Sequence, residues 1–302
     1  MSKDSQREWS GKSRGGSFGY SFFVHTIRLI GVRSAYCIMA LIVVYFLMFA
    51  PKATKAIWQY NRRRLGYGFF RSLKELYCHY YVFGQTLIDR IALRGGMAGR
   101  YSFEFDNYER FLQIIDSGKG VVMIGAHVGC WEAGSAFFGK YGKKINIVMY
   151  DAEHSQIKKV LEENAQESDF KIIPINQDAI AAMLQITGAL SDGEYVCFNG
   201  DRYVDLNSSV PAEFLGAEAQ FPKGPFLIAS RCRVPVVFYY AMREPGMKYR
   251  FIFTEAECSG RMKTEDLLSQ YLHSLESIVR RYPRQWFNFY PFWKSNETHK
   301  TA

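Results

Sequence analysis

Apolar and polar positions change their rhythm twice along the chain. Ser34 to Pro51 carries no charge, and the preceding Tyr20–Val32 is interrupted only by His25 and Arg28. At about 1.5 Å per residue the uncharged run makes a helix of roughly 27 Å, close to a bilayer core. It reads as a single membrane anchor or as a helical hairpin lying in one leaflet. A secretory signal fits poorly, because about thirty residues precede the run and no small-residue cleavage site follows it. Residues 52–94 then read as helical, and Phe103–Ser117 as a further helix closing at Gly118 and Gly120. Beyond that, short β-type runs alternate with helical stretches. Strands are predicted at Val121–Ala126, Ile145–Tyr150, Lys171–Pro174, Glu194–Asn199, Val234–Met242 and Tyr249–Thr254. Helices are predicted at Gly129–Gly139, Glu153–Gln166, Asp178–Ser191, Gly224–Cys232 and Thr264–Tyr282. Phe214–Phe221 reads as a loop or short extended piece. The alternation predicts an α/β fold, a mixed sheet flanked by helices, behind an N-terminal membrane-anchoring helix. The expected division is a polar tail at 1–19, an anchor with basic interfacial helices at 20–94, a catalytic domain at 95–294 and a tail at 295–302.

Charge sharpens this picture. The 302 residues carry a formal +9 and 16% aromatics. Anionic partners are favoured, and distribution selects among them. From Lys52 to Lys74 seven basic residues occur without an acid, interleaved with Trp58, Tyr60, Tyr67, Phe69 and Phe70. A basic aromatic run abutting an apolar helix suits an anionic lipid surface better than nucleic acid. By the positive-inside rule this side faces the cytoplasm. The six cysteines are widely spaced, with no C-x-x-C, which argues against a zinc ribbon and for a reducing compartment. Gly15-Gly16-Ser17-Phe18-Gly19 matches the G-x-S-x-G pattern formally, but no strand precedes it.

The candidate chemistry lies at the end of the first strong strand. In Val121–Gly134 a small-residue turn carries His127, and Glu132 follows as H-x4-E. A histidine at a sheet edge, with an acid able to reach one imidazole nitrogen, is a compact general base. Backbone N–H groups around Gly129 are candidate oxyanion donors. Downstream, Gly200-Asp201-Arg202 emerges from a strand, where an arginine can clamp a phosphate or carboxylate. An Asp–Arg pair in such a place serves structural roles equally often. Phe221-Pro222-Lys223-Gly224-Pro225 opens a helix, and Pro283-Arg284-Gln285-Trp286 near the end suggests an aromatic lid.

Together these blocks resemble the lipid A biosynthesis acyltransferase family, within the lysophospholipid acyltransferase superfamily. The resemblance rests on His127 to Glu132, on Gly200-Asp201-Arg202, on Val234-Pro235 and on Pro283, Gln285 and Trp286. It implies transfer of a fatty acyl chain from an acyl carrier protein or coenzyme A thioester to a hydroxyl or amine of a membrane lipid. The thioester is then a co-substrate, with no cofactor, no metal and no covalent acyl-enzyme. It implies His127 and Glu132 as catalytic residues and Gly129, Asp201, Arg202 and Lys223 as substrate-binding residues. It places the enzyme at the inner membrane with its catalytic domain on the cytoplasmic face. An arginine that some relatives carry after the next strand is replaced here by Tyr150-Asp151-Ala152-Glu153-His154. That leaves amino-acid lipids, phospholipids or pigments as alternative acceptors. A hydrolase using the same pair on water and a non-catalytic lipid-binding protein are the other readings.

Overall fold

The computed structural model describes residues 16–134, 143–149, 170–175, 179–203, 206–257 and 262–293, without the side chains of 16–18, 131, 132, 170 and 179. Seven strands among these residues form one sheet: β1 (Ser102–Asp106), β2 (Val121–Gly125), β3 (Ile145–Met149), β4 (Phe170–Pro174), β5 (Tyr195–Asn199), β8 (Val236–Glu244) and β9 (Lys248–Glu255). Their spatial order is β1-β9-β8-β2-β5-β3-β4, and every neighbouring pair is parallel except β8 with β9. The sheet is therefore mixed and carries helices on its faces, as the alternating pattern predicts. Strands β6 (Ser209–Phe214) and β7 (Ala217–Pro222) form a separate antiparallel hairpin.

Strand alternation sends each side chain to one of two cores. Val122 and Ile124 point to the face covered by helix α5 (Ala179–Ser191), α6 (Lys223–Arg231) and α7 (Thr264–Arg281). Val121 and Met123 point to the face covered by α1 (Gly16–Phe49), α3 (Phe69–Arg94) and α4 (Tyr108–Asp116). Helix α2 (Pro51–Gln59) and a π-helical turn (Tyr60–Arg64) join α1 to α3. Two-sided burial explains why β2 reads as an unbroken apolar run.

The elements depart from expectation in places. The helix predicted over Phe103–Ser117 is split: Phe103 and Phe105 belong to edge strand β1, whose rings stack on Phe251 of β9. Asn107 then turns the chain at φ 60°, and α4 begins. Phe214–Phe221 spans a hairpin, because Leu215 and Gly216 both adopt positive φ between the two strands. After Gly129 the backbone forms a short 3-10 turn at Trp131–Gly134 where an α-helix was expected. The helix expected at Glu153–Gln166 lies outside the described residues. Helix α1 reaches back into the segment expected to be a polar tail.

The N-terminal helices are fastened to the sheet by one buried carboxylate. Asp89 of α3 has no exposed side-chain surface and accepts hydrogen bonds from four donors. Tyr36 of α1 and Tyr101 (2.9 Å) share Oδ1; Arg243 Nε of β8 (2.8 Å) and Tyr249 of β9 (2.6 Å) share Oδ2. The carboxylate holds Arg243 charged despite its burial and so raises its pKa. A buried ion pair of this kind is costly to break from one side, because the other charge is left without compensation. Asp89→Asn is expected to destabilise the protein by about 3–5 kcal/mol, read as a lower denaturant midpoint in detergent-solubilised protein.

Candidate active site

Register brings the site together. Gly125 of β2 pairs with Asn199 of the parallel neighbour β5, and Gly200 N–H donates to Gly125 O at 2.9 Å. Two residues beyond that pair, at the carboxyl ends of both strands, stand His127 and Asp201. Such edges of parallel sheets are where ligand crevices form. Asp201 Oδ1 lies 2.8 Å from His127 Nδ1, and Asp201 Oδ2 accepts the His127 backbone N–H at 3.0 Å. The Asp201 side chain is 2% exposed and that of His127 20%, so the imidazole alone reaches solvent.

Burial by itself would raise the Asp201 pKa. The charge and hydrogen bonds of His127, with the Arg202 charge, outweigh it and hold the carboxyl below its usual range. An ionised Asp201 only accepts, so Nδ1 must carry the proton. In the neutral ring the lone pair then sits on Nε2. The arrangement is a histidine oriented as a base by a buried acid.

The terminal segment locks this turn in place. Trp286 Nε1 donates to Asp201 Oδ2 at 3.4 Å, and the Trp286 backbone bridges Val128. Phe287 N–H donates to His127 O and Gly129 N–H to Gln285 O, both at 2.9 Å. The Gln285 side chain takes both main-chain groups of Arg243, at 2.7 and 2.8 Å. Arg284 pairs with Glu75 of α3 through two nitrogens, and Tyr60 donates to Pro283 O. Hydrogen bonding to Arg284 outweighs burial and lowers the Glu75 pKa. Behind Trp286, His79 packs edge-on against Tyr60 and Phe287, and burial pushes its pKa down to about 4. His79 is thus a neutral core residue, in line with the structural role expected for the histidines other than His127.

Several expectations are revised by this geometry. Asp201, expected to bind substrate, is buried and committed to His127 and Trp286. The acid on His127 Nδ1 is Asp201, just past the end of β5; Glu132 was expected to orient the ring, and its side chain lies outside the described residues. Gly129, expected to bind substrate through its N–H, spends that donor on Gln285. Cys130 N–H is likewise spent on Ala241 O at 2.8 Å. Arg202 is half-buried and donates to Phe287 O at 3.0 Å beside the Tyr290 ring. It borders the site and helps hold the terminal segment. Lys223 is exposed at the start of α6, and among the described residues no hydrogen bond or ion pair joins it to the His127 turn. The P-x-Q-W segment does close over the core as expected, with Trp286 buried, and it is also a strap hydrogen-bonded to the His127 turn. Its three polar or aromatic residues in a row were the signal, but only the fold reveals their partners. Among the described residues no cluster of histidine, cysteine and acids has the spacing to hold a metal.

Residues 84–295 match the family model of bacterial lipid A biosynthesis acyltransferases, and the chain belongs to that family. It is therefore an acyltransferase, acting on a lipid acceptor. A search of curated proteins finds no match. The matched stretch contains the His127 turn, Asp201 and the Gln285–Trp286 strap.

Gly129 has a structural duty of its own. It sits at φ 59°, and a Cβ placed there would lie 2.0 Å from Ala241 O. Gly129→Ala is expected to lower stability by more than about 2 kcal/mol and to displace His127. A depressed melting temperature, with loss of activity in any residual folded fraction, is the outcome to look for.

Proposed function

We propose that the protein moves a fatty acyl chain from a carrier-protein or coenzyme A thioester to a hydroxyl or amine of an anionic membrane glycolipid, in lipid A-type synthesis. The observation that carries the catalytic part is the His127–Asp201 contact at the ends of two adjacent parallel strands. His127 Nε2 removes the proton from the acceptor as its oxygen or nitrogen attacks the thioester carbonyl. A new C–O or C–N bond forms, the C–S bond breaks, and the thiolate leaves and takes the proton back from the imidazolium. Asp201 holds the ring and stabilises its positive charge, a role that general-base sites repay with about 10²–10⁴ in rate. Arg202, at the rim, supplies positive charge for a phosphate on acceptor or donor. The same reading puts the protein on the inner membrane with its catalytic domain on the cytoplasmic face, and the apolar helix with the adjoining basic run supports it. One apolar helix long enough to cross a bilayer, Gly19–Phe49, supports membrane association.

The deciding comparison is mass spectrometry of membrane lipids from host cells carrying wild-type protein, His127→Ala or neither. A lipid heavier by one acyl chain is expected with wild-type alone; identical lipids in all three, with folded protein present, would overturn the reading. In purified protein, Asp201→Asn is expected to cost about 10²–10⁴ in kcat, and Glu132→Gln less. The reverse order would return the orienting role to Glu132. Thioester cleavage that proceeds equally without acceptor would instead mark a hydrolase.

A further inference from the structure

Helix α1 has the length and composition of a membrane span, yet its contacts are those of a domain helix. Its backbone breaks at Gly31 (φ 85°, ψ 168°), so the straight limb begins at Val32. That limb buries Val32, Ala35, Tyr36, Met39 and Val43, a helical stripe, in the core beneath the sheet. It runs antiparallel to α3: Tyr36 reaches Asp89, Met39 fills the space left by Gly84, and Phe46 stacks on Tyr80. Tyr36, one turn into the limb, thereby shares a carboxylate with Arg243 and Tyr249 of the sheet. Val32–Phe49 is just long enough to cross a bilayer core of about 30 Å, so a crossing limb would set Tyr36, with its partner Asp89 and through it Arg243, inside hydrocarbon, where charges are strongly disfavoured.

The opposite side of the hairpin is apolar and uncovered. Leu41, Val44, Tyr45, Met48 and Phe49 of α1 are exposed, and so are Phe69, Phe70 and Leu73 at the adjoining end of α3. Phe70 is 84% exposed. Lys52, Lys55, Arg62, Arg63 and Arg71 border this end and are exposed as well. Trp58 links the two sets: it packs edge-on against Phe69 and lines an open hollow of about 400 Å³ with Lys55, Arg62 and Arg63. Aromatic and aliphatic side chains ringed by cations match an anionic bilayer surface.

We infer that the chain does not cross the membrane: α1 lies along an anionic bilayer, with this apolar face in one leaflet and the Lys52–Arg71 cations on its headgroups. The inference rests on the membrane attachment proposed above and specifies its form. The test is labelling of single added cysteines, Ser5→Cys and Thr301→Cys, in the full-length protein in sealed inner-membrane vesicles of known orientation. A membrane-impermeant maleimide is used, and labelling is scored as the increment over the parent protein. Both positions are expected on the same side of the membrane; opposite sides would overturn the inference. Recovery of the protein in the soluble fraction would overturn it together with membrane attachment, while leaving the acyl-transfer reading to the lipid comparison. Binding of purified protein to vesicles with 30% phosphatidylglycerol provides a second arm. Arg62→Gln/Arg63→Gln/Arg71→Gln is expected to weaken that binding about 100-fold and binding to neutral phosphatidylcholine vesicles far less. Equal losses on both would remove the headgroup part of the inference.

Discussion

A single buried carboxylate organises this molecule. Asp89 collects hydrogen bonds from helix α1, from the chain entering β1 and from both strands of the antiparallel pair β8–β9. A charge removed from water is tolerated only when its lone pairs are filled, and here four donors fill them. The demand runs both ways, since Arg243 also needs its counterion. The N-terminal helices are consequently part of the catalytic fold.

Arg243 carries the constraint onward. Its side chain faces Asp89 while its main chain is held at both ends by Gln285. The Gln285 carbonyl fixes Gly129, whose backbone is pressed against Ala241 so closely that only glycine fits. One residue further, Trp286 donates to Asp201 Oδ2, the oxygen that also accepts the His127 backbone N–H. A path of direct contacts thus connects the N-terminal helices, the terminal strap and the His127 imidazole. The site is assembled from β2, β5 and the end of the chain, each held by backbone hydrogen bonds. Such support is what a base needs if its geometry is to persist through turnover.

Much of the fold was legible in the pattern alone. Strands β2, β3 and β5 and helix α7 fall close to their predicted places, because burial on both faces leaves a largely apolar run and α7 carries Glu265 and Asp266 in its first turn and Arg280 and Arg281 in its last; the short edge strand β4 also falls close to its place. Edge strand β1 was hidden, since its alternating aromatics can be read as one face of the helix that follows. The β6–β7 hairpin was hidden because its turn uses Leu215 at positive φ beside a glycine, a pairing without a strong sequence signature.

For the site, the sequence singled out His127 as the candidate base, from its place in a small-residue turn at the end of a buried strand with an acid five positions on. It also determined the apolar helix, its basic flank and the blocks by which the family is recognised. Which acid serves the histidine was decided by tertiary structure. Glu132 is near in sequence, but pairing of Gly125 with Asn199 sets Asp201, seventy-four residues away, within 2.8 Å. Register between distant strands depends on cooperative packing of the whole sheet, and no local pattern encodes it. The same holds for the strap and for the docking of α1. An apolar helix looks alike whether it will face lipid or protein, and only the positions of Asp89 and Gly84 on the neighbouring helix decide which side is covered.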